Sequence, residues 1–250
     1  MPCVYLHGGP GYWSKSFQHF SGELLEENLQ MVYLDQRGCG RSEHSPIQDY
    51  SLSRLINDIE ELRVFLGIEE WFVLGHSFGG ILAVNYAFHY PEQIQGIILS
   101  NVTLNMFNSF RHQIQRGSEV LGIEVKDLSV KNINSFMEDE YFRFQYIHIE
   151  NKNKVDAIDQ DELNSDPNFQ QYVFSSDEYF QDFISITESI HKPMLVITGE
   201  YDHAVGPNHY QLFCFPKSEV TVLKSGHHPY IETQLEYKNA VLQFVKGQIY

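Results

Sequence analysis

The 250-residue sequence has few basic side chains. Its 17 lysines and arginines stand against 33 aspartates and glutamates, which gives a formal net charge of -16 at pH 7. Phosphate backbones are bound by basic patches, so this balance argues against a nucleic-acid partner. It fits a neutral or cationic substrate better, because an acidic protein attracts cations.

Cysteines and nucleotide-binding motifs are also scarce. The three cysteines lie far apart, at positions 3, 39 and 214, with no C-x-x-C spacing. Neither a disulfide framework nor a zinc site is predicted, and a reducing, cytoplasmic location is favoured. No Walker A or G-x-G-x-x-G sequence occurs, so we expect no cofactor and no metal.

Long apolar runs are missing as well. Runs such as residues 71–74, 97–99 and 194–197 fall far short of the roughly 18 residues that a membrane span needs. The first residues show no basic segment followed by an apolar core, so no secretion signal is predicted. We therefore expect no membrane partner.

Strand and helix patterns alternate along much of the chain. Short apolar runs with β-branched and aromatic residues predict six strands, and helical periodicity predicts helices between several of them. The predicted strands are residues 2–6, 30–34, 71–74, 95–100, 193–198 and 219–223, and the predicted helices are residues 51–66, 79–89 and 231–246. This pattern indicates an α/β fold with a mostly parallel sheet covered by helices on both faces.

The alternation stops between residues 102 and 190. A structureless loop of that length is uncommon, and aromatic residues are frequent in it. We interpret it as a mostly helical cap inserted into a core formed by residues 1–101 and 191–250. Its closely spaced acidic residues are expected to form a solvated face: Asp156, Asp159, Asp161, Glu162 and Asp166.

A nucleophile motif follows the third predicted strand. Residues 75–79 read G-H-S-F-G and place Ser77 between a strand and a helix, the setting that the G-x-S-x-G nucleophile elbow requires. A serine hydroxyl is a weak nucleophile near neutral pH and needs a histidine base oriented by a carboxylate. The motif therefore predicts a serine hydrolase.

Two later strand ends supply the partners of Ser77. Glu200 and Asp202 follow the fifth predicted strand, and His227 and His228 follow the sixth. The carboxyl ends of parallel strands lie at one edge of the sheet, so these side chains are expected to meet Ser77 there. The residues alone leave the choice within each pair open.

The reaction also needs donors for the oxyanion that forms when the serine attacks a carbonyl group. Residues 7–11, H-G-G-P-G, follow the first strand, where the second backbone donor of such a site normally originates. The N–H groups of Gly9 and Phe78 are the predicted oxyanion hole.

Five segments together resemble a known family. They are HGGPG at residues 7–11, DQRGCGRS at 35–42, GHSFGG at 75–80, GEYD at 199–202 and GHHP at 226–229. They are similar to the motifs of α/β-hydrolases of the proline iminopeptidase family. The resemblance implies a serine peptidase that releases N-terminal residues, often proline, without a cofactor. It also implies that Asp202 and His227 complete the catalytic triad and that the cap holds the substrate's amino terminus.

The sequence departs from that family in three ways. The two strands that usually precede the HGGPG strand are absent here, and the cap aligns with no family motif. His203 stands where some related aminopeptidases have a glutamate that helps to hold the substrate ammonium. Asp177 and Glu178, in an aromatic segment before the sheet resumes, are our candidates for substrate binding.

Three functions are compatible with these motifs. The first is an aminopeptidase or amidase that acts on short peptides through an acyl-enzyme. The second is a carboxylesterase on small acyl esters, because both reactions use the same machinery. The third, a catalytically silent binding protein, is disfavoured by the intact triad. A small peptide or acyl compound is therefore the expected partner.

Residues 30–34 are expected to lie at a sheet edge. In this architecture they normally pair on one side with the two strands that are absent here. An edge that carries Met31, Val32, Tyr33 and Leu34 without lysine or proline offers unpaired backbone groups to another chain. We expect either a homodimer or, if the sequence is part of a longer protein, poor solubility.

Overall fold

Six short strands form one parallel sheet. The computed structural model describes residues 1–122, 142–160 and 164–248. The strands are β1 (Pro2–Leu6), β2 (Gln30–Leu34), β3 (Trp71–His76), β4 (Ile94–Ser100), β5 (Met194–Gly199) and β6 (Ser218–Leu223). Each predicted strand is confirmed, with ends that differ by at most two residues.

The order of the strands places the predicted site residues side by side. The sheet has the order β2-β1-β3-β4-β5-β6, and every neighbouring pair is parallel. The loops after β1, β3, β4, β5 and β6 therefore leave from the same edge of the sheet, which we call the carboxyl edge. Ligands bind at this edge in open α/β sheets.

Helices flank the sheet on both faces. The helices of the described residues are α1 (Lys15–Phe17), continued by a π-helical turn (Gln18–Gly22), α2 (Glu23–Glu26), α3 (Leu52–Phe65), α4 (Gly79–His89), α5 (Met106–Leu121), α6 (Phe142–Gln145), α7 (Ile149–Asp159), α8 (Pro167–Ser175), α9 (Pro229–Glu232) and α10 (Gln234–Gly247). Short 3-10 turns occur at Pro91–Gln93, Asp177–Tyr179, Thr187–Ser189 and His209–Leu212. The helix predicted at residues 231–246 is instead two helices, because the backbone of Thr233 leaves the helical region at φ -138 and ψ 54.

Alternation along the strands divides the core into two layers. Val4 and Leu6 of β1 join one buried cluster that includes Leu55 of α3 and Ile81 of α4. The intervening Cys3 and Tyr5 join a second cluster that includes Phe17 of α1 and Tyr237 of α10. Successive strand residues point to opposite faces, so both faces of the sheet are buried under helices.

The segment predicted as a cap is helical where it is described. Helices α5 to α8 lie in it, and no strand occurs in residues 102–122, 142–160 or 164–190. The proposed boundaries at residues 102 and 190 stay a prediction.

The expectation of a solvated acidic face is wrong for two residues of the cap. The carboxylate of Asp159 accepts hydrogen bonds from Tyr12 Oη and, at 2.9 Å, from Trp13 Nε1. Asp166 is buried and accepts a hydrogen bond from the Tyr50 hydroxyl. Asp161 and Glu162 lie outside the described residues. These carboxylates tie the cap to the core because hydroxyl and indole donors reach them from the loops after β1 and β2.

Strand β2 lies at one end of the sheet, as predicted. Its Tyr33 hydroxyl donates to Glu26 Oε1 at 2.6 Å, so α2 crosses near this edge. The homodimer stays a prediction. Within the described ranges, no helix is long and apolar enough to cross a bilayer.

We expect Gly80→Ala to lower the free energy of unfolding by about 1–3 kcal/mol, the usual range for an overpacked core. A Cβ at Gly80 would lie 2.3 Å from Val102 Cβ, so α4 and the chain after β4 would have to separate. Urea unfolding followed by circular dichroism measures the effect. The matched control is Gly247→Ala in α10, where no atom lies within 4 Å of the new Cβ. Equal stabilities of the two variants would contradict the prediction.

Candidate active site

Ser77 occupies a strained turn at the carboxyl edge. Strand β3 ends at His76 and helix α4 begins at Gly79, so the chain reverses direction over two residues. Ser77 has φ +53, a left-handed conformation that is uncommon for a residue with a side chain. A Cβ at Gly79 would lie 2.2 Å from the carbonyl oxygen of Leu6, so the motif needs glycine there. This is the geometry of a nucleophile elbow.

Asp202 and His227 form a buried pair beside this turn. Asp202 has no exposed surface and His227 is 4% exposed. His227 Nδ1 lies 3.0 Å from Asp202 Oδ2 and 3.1 Å from Oδ1, and it donates because a carboxylate only accepts. The His227 ring centroid is 4.8 Å from that of His76, the residue before Ser77. The structure therefore brings the predicted acid and base together at the carboxyl edge.

The electrostatics of Asp202 follow from its contacts. Burial alone would raise the pKa of its carboxyl group, but the neighbouring His227 imidazole and hydrogen bonds from His227, Asn101 and the Val205 N–H lower it below its usual value. The Ala204 N–H donates to Oδ1 as well, at 3.0 Å. A carboxylate that accepts this many hydrogen bonds remains ionised although it is buried.

The alternatives that the sequence left open differ clearly in their surroundings. Glu200 is exposed, whereas Asp202 is buried against a histidine. Both ring nitrogens of His228 are engaged, Nδ1 with the Tyr230 hydroxyl at 2.9 Å and Nε2 with Gln145 Oε1 at 3.3 Å. The geometry thus pairs Asp202 with His227 and leaves Glu200 and His228 outside that pair.

The predicted oxyanion donors lie on either side of Ser77. Phe78 is the residue from which α4 starts, and Gly9 has φ +117 in the loop after β1. A Cβ at the neighbouring Gly8 would lie 2.9 Å from Ser77 Cβ, so this loop packs directly on Ser77. Neither N–H group donates to an acceptor in the described parts of the chain. Their role as oxyanion donors stays a prediction.

His7, the first residue of HGGPG, joins this loop to the DQRGCGRS loop. The Gln36 N–H donates to His7 Nε2 at 3.0 Å, and Gln36 Nε2 donates to the His7 carbonyl at 2.9 Å. His7 Nδ1 is therefore the protonated nitrogen, and it donates to the Gly8 carbonyl at 2.8 Å. Burial lowers the pKa of His7 to about 4, so the ring is neutral at pH 7. The pairing of the two motifs in the sequence thus corresponds to a direct contact.

Asp35 organises the loop after β2. Its carboxylate accepts hydrogen bonds from the Ser14 N–H at 2.7 Å, the Ser14 hydroxyl at 2.6 Å and Arg41 Nε at 2.7 Å. Burial alone would raise the pKa of Asp35, but these donors outweigh it and lower the pKa to about 2. Ser14 follows HGGPG by three residues, so this carboxylate holds the two loops together.

Asp177 and Glu178, the residues predicted to bind a substrate ammonium, differ in exposure and in hydrogen bonding. Asp177 is exposed. Glu178 accepts hydrogen bonds from the Tyr172 hydroxyl at 2.8 Å, the Ser176 hydroxyl at 3.2 Å and the Leu52 N–H at 3.1 Å. Its carboxylate thus caps the N-terminus of α3. Substrate binding by either residue stays a prediction.

His203, which follows Asp202, contacts the cap. His203 Nδ1 lies 3.2 Å from His112 Nε2 of α5, and the rings stack with centroids 5.5 Å apart. Burial is the main cause that lowers the pKa of both rings. In addition, the His203 N–H donates to the Phe144 carbonyl at 3.1 Å and the His227 N–H to the Gln145 carbonyl at 2.6 Å. Helix α6 therefore contacts the loops that carry Asp202 and His227.

Sequence reasoning missed Asn101 and Gln145. Asn101 directly follows β4, so the rule that polar residues at carboxyl strand ends form the site could have found it. Gln145 gave no signal, since it contacts His227 through its backbone carbonyl. No group of three or more His, Cys, Asp or Glu side chains suited to a metal occurs in the described residues.

Comparison with known sequences identifies the class of protein. The sequence model of the alpha/beta hydrolase fold matches residues 2–234. The chain belongs to this family. A proline iminopeptidase of Neisseria gonorrhoeae is 37% identical over 105 residues, which are 42% of this chain and 33% of that protein. The matched stretch thus spans about a third of the relative's length. A proline iminopeptidase of Heyndrickxia coagulans is 26% identical over 98% of this chain and 91% of its own length.

Solved structures share the same fold. A proline iminopeptidase-related protein of Thermus thermophilus superposes with a TM-score of 0.83 at 23% identity, over 98% of this chain and 89% of that one. An esterase of Exiguobacterium antarcticum superposes with a TM-score of 0.74 at 18% identity, over 98% of this chain and 92% of that one. The predicted α/β-hydrolase fold and the resemblance to proline iminopeptidases are confirmed.

We expect Asp35→Asn to lower stability by about 2 kcal/mol at pH 7, and the loss to shrink as the pH falls from about 4 to about 2. The pKa of Asp35 is depressed in the folded protein, so its contribution is present above the unfolded-state pKa and disappears as the carboxylate is protonated. Urea unfolding at several pH values measures the difference. Glu188→Gln, at an exposed carboxylate, controls for net charge. A loss that is the same at pH 7 and pH 3 would contradict this explanation.

Proposed function

We propose that this protein is a serine hydrolase that acts through an acyl-enzyme formed on Ser77. The observation that carries the proposal is the buried hydrogen bond of 3.0 Å between His227 Nδ1 and Asp202 Oδ2, at the same sheet edge as the left-handed Ser77. A buried imidazole and carboxylate beside a strained serine have the arrangement of a catalytic triad.

The proton positions define the roles of the three residues. Because Nδ1 of the neutral His227 ring carries a proton toward Asp202, Nε2 carries the lone pair that can accept the Ser77 Oγ proton. The Ser77 oxygen then attacks the substrate carbonyl, and the Gly9 and Phe78 N–H groups bind the resulting oxyanion. His227 Nε2 next gives its proton to the leaving amine or alcohol. Water activated by the same nitrogen hydrolyses the acyl-enzyme and restores Ser77.

The preferred substrate class is short peptides with a free amino terminus. Support comes from the similarity to proline iminopeptidases and from the net charge of -16, which attracts a cationic substrate. Of the two candidate carboxylates, Asp177 is exposed, whereas that of Glu178 is engaged by three donors.

A carboxylesterase is the second candidate, and the surroundings of Asp202 favour it. His203, next to the proposed acid, forms a half-buried pair with His112, and burial lowers the pKa of both rings. A neutral pair attracts an ammonium group less than a carboxylate would. Esters with no charged amino group fit such surroundings.

We expect Ser77→Ala to abolish hydrolysis of both aminoacyl-naphthylamides and p-nitrophenyl esters. Removing a serine nucleophile lowers kcat by about 10⁶-fold, because no other group forms the acyl-enzyme. Steady-state kinetics on one preparation measures the loss, and circular dichroism checks the fold. A decrease of only tenfold would exclude Ser77 as the nucleophile.

Asp202→Asn and Glu200→Gln form a matched pair for the same test. The asparagine at position 202 would favour the wrong His227 tautomer, and the expected loss in kcat is about 10⁴-fold. Glu200 is exposed, so its variant should keep near wild-type activity. A severe defect in Glu200→Gln together with a mild one in Asp202→Asn would reverse the assignment of the acid.

We expect N-acetylation of an aminoacyl-naphthylamide to lower kcat/KM by at least tenfold, because the ammonium charge is lost from a site that selects it. Kinetics on free and acetylated forms of one substrate, with Asp177→Asn beside the wild type, measure this preference. If kcat/KM is unchanged or higher for the acetylated substrate, the aminopeptidase yields to the esterase or an endo-acting amidase.

A further inference from the structure

The end of β4 contacts the loops of all three proposed triad residues. This strand lies between β3, which leads to Ser77, and β5, which leads to Asp202. The Ser77 N–H donates to the Ser100 carbonyl at 3.2 Å. The next residue, Asn101, reaches Asp202 and the residue before His227. Two consecutive residues thus meet the nucleophile, acid and base segments.

Asn101 has an unusual backbone and a buried side chain. Its φ is +50, its exposure is 2%, and its N–H donates to the Ile197 carbonyl of β5 at 2.8 Å. Asparagine adopts this left-handed conformation more readily than most residues with a side chain. The backbone therefore fixes where the amide group points.

The side-chain amide makes two hydrogen bonds to different loops. Asn101 Nδ2 lies 2.7 Å from Asp202 Oδ2 and 3.1 Å from the Gly226 carbonyl oxygen. A carboxylate and a carbonyl group only accept, so the NH₂ group must face them and the amide orientation is determined. Each of its two hydrogens thus holds one loop.

We propose that Asn101 is the positioning residue of the triad, which holds the Asp202 carboxylate and the His227 loop in their reactive arrangement. The inference rests on the proposed roles of Ser77, Asp202 and His227. Asn101 itself does not contact substrate in this scheme. It acts through Asp202 and through Gly226, the residue that precedes the base.

Burial makes this amide hard to replace. Asp202 has no exposed surface, so bulk water does not solvate Oδ2, and this oxygen depends on donors from the protein. Hydrogen bonds to charged groups are stronger than those between neutral groups. Without the amide, the Ala204 and Val205 N–H groups would still hold Oδ1, but Oδ2 would keep His227 Nδ1 as its donor and would no longer be anchored to the strand end of β4. His227 would then lose its orientation.

The amide also affects the charge state of the acid. Hydrogen bonding from Asn101 is one of the causes that keep the pKa of Asp202 below its usual value although burial opposes it. Removing this donor weakens the stabilisation of the ionised carboxylate, so the acidic limb of the activity profile should differ between the variant and the wild type. His227 faces Asp202 directly, and His76, His112, His203 and His209 feel its charge from neighbouring elements.

The test compares Asn101→Gly with Asn101→Asp. Glycine tolerates φ +50 and removes the whole side chain with its amide, so the hydrogen bonds are lost without added backbone strain. Aspartate keeps the shape but places a second carboxylate next to Asp202. The matched control is Asn85→Gly in α4, whose buried amide donates to the Ile81 carbonyl at 2.8 Å and touches no triad residue.

Two readouts are measured on each protein. The first is the pH dependence of kcat and KM for a p-nitrophenyl ester. The second is the low-field proton NMR signal of the His227 Nδ1–H, which does not require turnover. For Asn101→Gly we expect kcat to fall about 10- to 100-fold with little change in KM, and the acidic limb of its pH profile to differ from that of the wild type. The proton signal should broaden or disappear, and Asn101→Asp should lose more activity than Asn101→Gly.

Each outcome decides between the alternatives. The inference is overturned if Asn101→Gly, or Asn101→Asp should the glycine variant not fold, keeps kcat within twofold and retains the proton signal. An equal kcat loss in Asn85→Gly would also overturn it, since the effect would then be general destabilisation. If the wild type hydrolyses nothing, the proposed function fails, and the proton signal alone decides whether Asn101 positions the pair.

Discussion

The structure of the site depends on a buried negative charge. Asp202 is fully inaccessible to solvent, and a buried carboxylate is tolerated only when its oxygens are hydrogen-bonded. The donors come from three strand ends: the Ala204 and Val205 N–H groups after β5, Asn101 after β4 and His227 after β6. Satisfying this one carboxylate therefore fixes the relative positions of three loops, and the His227 ring is oriented as a consequence.

The cap takes part in the same arrangement. Backbone carbonyls of α6 accept hydrogen bonds from the N–H groups of His203 and His227, so this helix supports the loops after β5 and β6. At the other side of the site, Asp159 of α7 accepts from Tyr12 and Trp13, just after the loop that carries Gly9. These contacts are polar and partly buried, which makes cap and core depend on each other for hydrogen bonding.

The surroundings of His227 are largely uncharged although the whole protein is strongly acidic. Burial lowers the pKa values of His7, His76, His209 and His228 below their usual value, so these rings carry no charge at pH 7. Two of them, His76 and His228, have ring centroids 4.8 and 5.0 Å from that of His227. The charged group at hydrogen-bond distance from His227 is the carboxylate of Asp202.

The sequence by itself determined the six strands, the position of β2 at an edge, the elbow at Ser77 and the family. These features depend on local patterns: apolar runs, glycines at a tight turn and motifs of fixed spacing. It also placed Asp202 and His227 at strand ends, but the residues alone did not decide between Asp202 and Glu200 as the acid or between His227 and His228 as the base. Only the tertiary structure showed that Asp202 is buried while Glu200 is exposed, and that both ring nitrogens of His228 have hydrogen-bond partners. It also showed that the carboxylates of Asp159, Asp166 and Glu178 accept hydrogen bonds from other segments of the protein. Burial and hydrogen-bond partners come from segments far apart in the chain, and no local pattern records them.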